Sequence, residues 1–166
     1  MSSEAQKRLV NEAKLAVTFD SMRREDLPEV LAIESLSFAE PWTEEMFVHE
    51  ISSGGIANHL VARADEGSGP HIVGYLCAWI VAGELHINNI AVHPGYRRRG
   101  VASQLLEEIL RRAKAIGATA GYLEVRASNE AAKALYLQYD FKLVGRRRNY
   151  YDHPREDAIV MRKKPL

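Results

Sequence analysis

Asn89-Ile90-Ala91-Val92-His93-Pro94-Gly95-Tyr96-Arg97-Arg98-Arg99-Gly100-Val101-Ala102 is the stretch whose reading decides the fold. It begins as an apolar, β-branched strand, breaks at a Pro-Gly turn, and passes through three arginines and a glycine into a helical pattern. Beyond it, Val101, Leu105, Ile109 and Ala113 fall on one helical stripe, widened by Leu106 and Leu110, and Gly117 supplies a helix-ending glycine. A strand, a tight turn with small residues at Gly100 and Ala102, and a helix N-terminus together make an anion site. Unpaired N–H groups and the helix dipole point at the turn, and small residues let an anion approach the backbone. The same segment also reads as a solvated basic loop.

Working outward, Asn58–Ala64, Ile72–Val81 and Glu84–Val92 read as successive strands, the first two joined by the DEGSGP loop, Asp65 to Pro70. Before them come a strand near Ala16–Asp20, a helix from Asp26-Leu27-Pro28-Glu29 to about Ser37, and a second helix starting at Thr43. Asp26 is the expected cap of the first helix, with Glu29 at the capping-box position. After Gly117 follow a strand (Tyr122–Ala127), a helix (Glu130–Tyr139) and two strands, Lys142–Arg148 and Ala158–Arg162. Helices crossing between strands predict an α/β chain with a mixed sheet. Ser2–Leu15 reads as a short helix or a frayed leader, giving a leader over 1–15 and one domain over 16–166.

Composition narrows the function. The 166 residues suffice for one domain with its own core, and 46% hydrophobic against 27% charged excludes a disordered chain. Acidic and basic residues balance at 22 each, so no overall field favours nucleic acid or an anionic membrane. The single cysteine, Cys77, lies in an apolar run and reads as core; neither a disulfide nor Cys/His zinc spacing is available. The N-terminus lacks the apolar block of a signal peptide, and the longest apolar stretch is too short to cross a bilayer as a helix. The expectation is a cytoplasmic protein with no metal.

Two further segments carry chemistry. In Tyr122-Leu123-Glu124-Val125-Arg126, strand alternation puts Glu124 with Tyr122 and Arg126, opposite Leu123 and Val125. A carboxylate within such a strand is costly unless it is paired or working. It reads either as the partner of Arg126 or another arginine, or as a general base. On the next helix Asn129, Ala132 and Tyr136 stand at i, i+3 and i+7 on one face, spanning about 10 Å. Tyr136 reads as core or as a phenol able to give a proton to a leaving thiolate.

These pieces, in this order, resemble the GNAT superfamily of acyl-CoA N-acetyltransferases. Arg97-x-x-Gly100-x-Ala102 after Ile90-Ala91-Val92 is similar to its cofactor signature Q/R-x-x-G-x-G/A, with Arg97 where glutamine is common and Ala102 where glycine is common. Four strings resemble the bacterial ribosomal-protein-alanine N-acetyltransferases: Pro41-Trp42-Thr43, Leu123 to Asn129, Ala134-Leu135-Tyr136 with Phe141, and Arg148-Asn149-Tyr150-Tyr151 with Arg155-Glu156-Asp157-Ala158. The resemblance implies a mostly antiparallel sheet of about six to seven strands, flanked by about four helices, with one parallel pair splayed around pantetheine. It implies acetyl-CoA as co-substrate, held by the backbone of Ile90, Ala91 and Val92, by the amides of Arg97, Arg98, Arg99, Gly100, Val101 and Ala102, and by Asn129. Glu124 is implied as proton acceptor, Tyr136 as proton donor, and Trp42, Tyr150 and Tyr151 as the border of the acceptor cleft. For those three, hydrophobic packing is the alternative. The implied partner is a protein N-terminus, of the ribosomal small-subunit alanine type. A broader N-terminal acetyltransferase, lysine or small-amine acetylation, and a non-catalytic acyl-CoA-binding module remain the competing readings.

Overall fold

The computed structural model describes residues 14–166, so the expected leader lies largely outside the described residues. Among the described residues, seven strands form one sheet in the order β1-β2-β3-β4-β5-β7-β6. They are β1 (Thr18–Ser21), β2 (Leu60–Ala64), β3 (His71–Val81), β4 (Glu84–Val92), β5 (Ala120–Arg126), β6 (Lys142–Asp152) and β7 (Arg155–Lys163). Every neighbouring pair is antiparallel except β4–β5. Four α-helices accompany them: α1 (Leu27–Ser37), α2 (Glu44–Ile51), α3 (Val101–Ala115) and α4 (Glu130–Gln138).

The central strands of the sheet are covered on both faces. Val101, Leu105, Leu106, Ile109 and Ala113 of α3 and Tyr136 of α4 pack with Val73, Leu85, Leu123 and Val125. On the opposite face Leu27, Val30 and Ile33 of α1 and Phe47 of α2 pack with Val61, Tyr75 and Ala91. The stripe expected from the sequence is therefore the face that α3 buries. Gly117, at φ +90°, ends that helix: its N–H reaches the Lys114 carbonyl at 3.1 Å and the Ala118 N–H reaches Ala113 at 2.9 Å.

Three local expectations are corrected. Asp26 stands at the N-cap of α1 as expected but makes no capping hydrogen bond there; its carboxylate accepts from the Arg23 N–H at 2.8 Å and pairs with the Arg63 guanidinium, a cation supplied by β2. Glu29 does not complete a capping box and accepts instead from the Ile72 N–H at 2.8 Å, beside the irregular β2–β3 register. The strand expected over Lys142–Arg148 runs on to Asp152, so Tyr150 and Tyr151 belong to β6 rather than to a loop. Cys77 is fully buried, and burial pushes its thiol up, as suits a core residue.

A candidate acyl-transfer site between β4 and β5

Parallel pairing between β4 and β5 runs from Glu84/Ala120 to Ile87/Leu123 and stops there. Beyond it each strand keeps its outer neighbour: β4 stays on β3 to Val92, and β5 stays on β7 to Arg126. The cause is local. Cys77 faces Asn89 while Ala78 faces Ile87, so Asn88 is an extra residue on β4. Such a bulge bends the strand that carries it. A cavity of about 600 Å³ opens where the strands part.

Past Ile87 the edge of β4 has no strand partner on its β5 side among the described residues. The His93 N–H donates to the Val73 carbonyl at 2.8 Å, and alternation along a regular antiparallel ladder then turns Ile90 and Val92 away from β3. The Val92 carbonyl is taken by Arg97 Nε at 3.0 Å, which leaves the Val92 N–H and both Ile90 groups directed at the gap. Ile90 lines the cavity, whereas Ala91 and Val92 are buried in the two cores.

The turn after β4 has the build of an anion cradle. Arg98 and Gly100 take positive φ, +62° and +76°, and Gly100 begins α3 with no side-chain cap. Among the described residues no side chain caps the first amides of this 15-residue helix, the arrangement in which such amides can hold an anion. The arginines are not equivalent. Arg97 reaches inward to Val92 and to Ser37 Oγ at 3.2 Å, and Arg99 is paired with Glu66 at 2.6 Å. Glu66 comes from the DEGSGP loop, which therefore abuts the turn. Leu15 ties in as well: its N–H donates to the Arg99 carbonyl at 2.9 Å, and its carbonyl accepts from Gln104 Nε2 at 2.7 Å. The Arg97–Ala102 turn lies outside the lining of the large cavity.

Glu124 and Tyr136 both line the cavity. Glu124 is half-buried, with Arg147 Nε 2.8 Å from its Oε1, and its carboxylate, together with burial, pushes the neighbouring Tyr150 phenol up. The sequence offered Arg126 or another arginine as the partner of Glu124; Arg147 fills that place, while Arg126 donates to the Pro154 carbonyl at 3.1 Å and lies 4.1 Å over the Tyr151 ring. Tyr136 is 4% exposed, and burial, with Tyr151 nearby, pushes its phenol well above the usual value. The end of α4 holds it: the Phe141 N–H returns to the Tyr136 carbonyl at 3.1 Å, and the two rings meet edge-on at 5.9 Å. Asn129 caps α4 by accepting from the Ala132 N–H at 3.1 Å, and Asn129, Ala132 and Tyr136 all face the cavity, the stripe expected from their spacing.

Trp42 and Tyr151 line the cavity, while Tyr150 stands 49% exposed beside it. The sequence reading missed Glu34, Asn89, Glu40 and His153. Glu34 and Asn89 form part of the wall, and Glu40 and His153 join at 2.6 Å across its mouth, from the α1–α2 loop to the β6–β7 turn. Glu34 did carry a signal, being an acid four residues after Val30 on the core side of α1.

A slot held open by a bulge, with free strand amides and an uncapped helix start beside it, suits an acyl group on a long arm ending in phosphates. Known proteins agree. The ribosomal protein bS18-alanine N-acetyltransferase of Escherichia coli is 35% identical over 146 residues, spanning 87% of this chain and 95% of its own. The N-alpha-acetyltransferase RimI of Mycobacterium tuberculosis is 35% identical over 153 residues, 89% of this chain and 92% of its own. A crystal structure of the Escherichia coli ribosomal-protein-alanine N-acetyltransferase matches with a TM-score of 0.81 at 34% identity, covering 90% of this chain and 94% of that one. The family model of the acetyltransferases matches residues 27–141, and with the fold and the slot in accord the chain belongs to the acetyltransferase (GNAT) family.

Proposed function

We propose that the protein acetylates the N-terminal amine of a protein by direct transfer from acetyl-CoA, with the N-terminal alanine of a ribosomal small-subunit protein as its substrate type and the cytoplasm as its place of action. The observation that carries this reading is the parted β4–β5 pair, with a carboxylate and a phenol on the wall of one cavity. Similarity to enzymes named for bS18 alanine supports the substrate class.

Acetyl-CoA supplies an acyl group already activated as a thioester. The residues present fit it: Ile90 and Val92 offer strand groups to a pantetheine arm, the Arg97–Ala102 amides offer a seat to pyrophosphate, and Asn129 lies on the cavity wall. An N-terminal ammonium, with a pKa of about 7.7–8.0, must lose a proton before it can attack. Glu124 accepts that proton, directly or through one water. A strand N–H at Ile90–Val92 steadies the developing oxyanion. Tyr136 returns a proton to the departing sulfur. Trp42 and Tyr151 border the peptide entrance, and Tyr150 acts through Glu124.

A lysine side chain, with a pKa near 10.4, would ask more of Glu124. Mass spectrometry on peptides that begin with alanine, serine or methionine and contain one internal lysine separates the cases. Acetylation at the α-amine of the alanine peptide is expected; exclusive lysine labelling, or no thiol release with any peptide, would overturn the reading.

A further inference from the structure

Glu34 is 1% exposed, yet its carboxylate lies in the cavity wall, and among the described residues it has no cationic partner. It is held by donors alone. The Trp42 N–H reaches Oε1 at 2.9 Å, while the Tyr75 hydroxyl and Asn89 Nδ2 (3.1 Å) both donate to Oε2. These donors come from the α1–α2 loop, from β3, and from the segment of β4 next to the bulge. The ring closes through side chains. Trp42 packs on Phe47 at 5.3 Å between centroids, Phe47 meets Tyr75 edge-on at 5.8 Å, and the Tyr75 hydroxyl returns to Glu34.

A buried carboxylate is costly unless its lone pairs are filled, and hydrogen bonds to an ionised acceptor are the stronger kind. Burial pushes the Glu34 carboxyl up, while the Trp42 and Asn89 donors pull it down. An acid kept in such a place, where an apolar residue would fill the helix face more cheaply, points to a task. Its bonds fix how far the Trp42 loop stands from the bulged strand across the cavity.

We propose that Glu34 is the positioning residue of the acceptor side, holding the Trp42 amide and the Asn89 carboxamide on one carboxylate so that the peptide N-terminus enters at a fixed distance from the thioester. The inference rests on the proposed N-terminal acetylation. It concerns the acceptor, because none of the groups assigned above to acetyl-CoA bonds Glu34.

The experiment compares Glu34→Gln, Asn89→Ala and the double variant in steady-state kinetics with an alanine-starting peptide. Glutamine keeps the size and can still accept from the Trp42 N–H, but its amide nitrogen then faces the Asn89 amide donor. Each single change is expected to raise the peptide KM about five- to tenfold, as for loss of a charge-assisted hydrogen bond. The double variant should be no worse than the weaker-binding single within about twofold, because both cut one link. The KM for acetyl-CoA should stay within about twofold of wild type. The melting temperature of each variant is measured alongside and the kinetics are read well below it, so weaker peptide binding would not be an effect of unfolding.

Peptide KM unchanged, acetyl-CoA KM rising in step, or multiplicative single effects would each overturn the proposal. Amide hydrogen exchange at Trp42, read in Glu34→Ala, needs no turnover and separates this proposal from the functional one. Faster exchange than wild type supports the link even if every peptide proves inert, and equal exchange sinks it.

Discussion

Ile87 of β4 and Leu123 of β5 are the last residues of the parallel pair to face each other, and Glu124 is the first residue past the parting. Its neighbour Leu123 is still bound to β4 while Glu124 is bound only to β7, opposite Val160. The carboxylate therefore stands at the apex of the gap, where an acyl group between the strands would come nearest to it.

Glu124→Gln tests the proton acceptor. Glutamine keeps the size of the side chain, so the wall should keep its shape although the ion pair with Arg147, 2.8 Å from the carboxylate, is lost. The expected result is a fall in kcat of about two to four orders of magnitude, with acetyl-CoA affinity nearly unchanged. Near-normal turnover would reduce Glu124 to a partner of Arg147.

Tyr136→Phe tests the proton donor. Burial holds the phenol above its ordinary value of about 10, so Tyr136 keeps its proton throughout the usual assay range. The kcat profile of the wild-type enzyme should accordingly show no descending limb below about pH 10. Loss of the hydroxyl should lower kcat about a hundredfold, with little change in the KM for acetyl-CoA. A descending limb near pH 8, or a variant with normal kcat, would remove the assignment.

Much of this was legible in the chain because it follows short-range rules. The α3 stripe, the Gly117 stop and the Asn129–Tyr136 face repeat at helical spacing, and Glu124 stands out by strand alternation. The failures share a cause in distance along the chain. Asp26 has the type and place of a cap, but Arg63 of β2 claims it, and Glu29 answers an amide of β3. The end of β6 was missed because this edge strand is exposed along nearly its whole length, so no alternation marks it. The extra residue Asn88 is visible only against β3, although it shapes the cavity.

Gly100→Val tests the anion cradle. Its φ of +76° is one that a β-branched residue adopts only under strain of about 1–2 kcal/mol or more, and an added Cβ would lie 3.0 Å from Lys14 Cγ. The Lys14 chain can swing aside; the backbone strain stays. Calorimetry should show coenzyme A binding weakened about tenfold or more. An unaltered affinity would mean that the first amides of α3 do not hold the phosphates.

Gly74 gives the same cradle a second, remote test. On β3, a Cβ here would meet the Ala91 carbonyl oxygen at 3.1 Å, Val101 Cγ1 at 3.1 Å and Leu105 Cδ1 at 3.2 Å. The carbonyl belongs to the ladder and has little room to give, so the methyl of Gly74→Ala presses on Val101 and Leu105 in the first turns of α3. Overpacking of this kind costs about 1–3 kcal/mol, and the melting temperature should fall by about 2–4 °C for each kcal/mol. If the pressure on Val101 shifts the helix start and that start binds phosphate, coenzyme A affinity is expected to fall as well, although Gly74 lies beneath the helix and not on the turn. A lower melting temperature with unchanged affinity would show that the turn keeps its shape independently of the seat beneath α3.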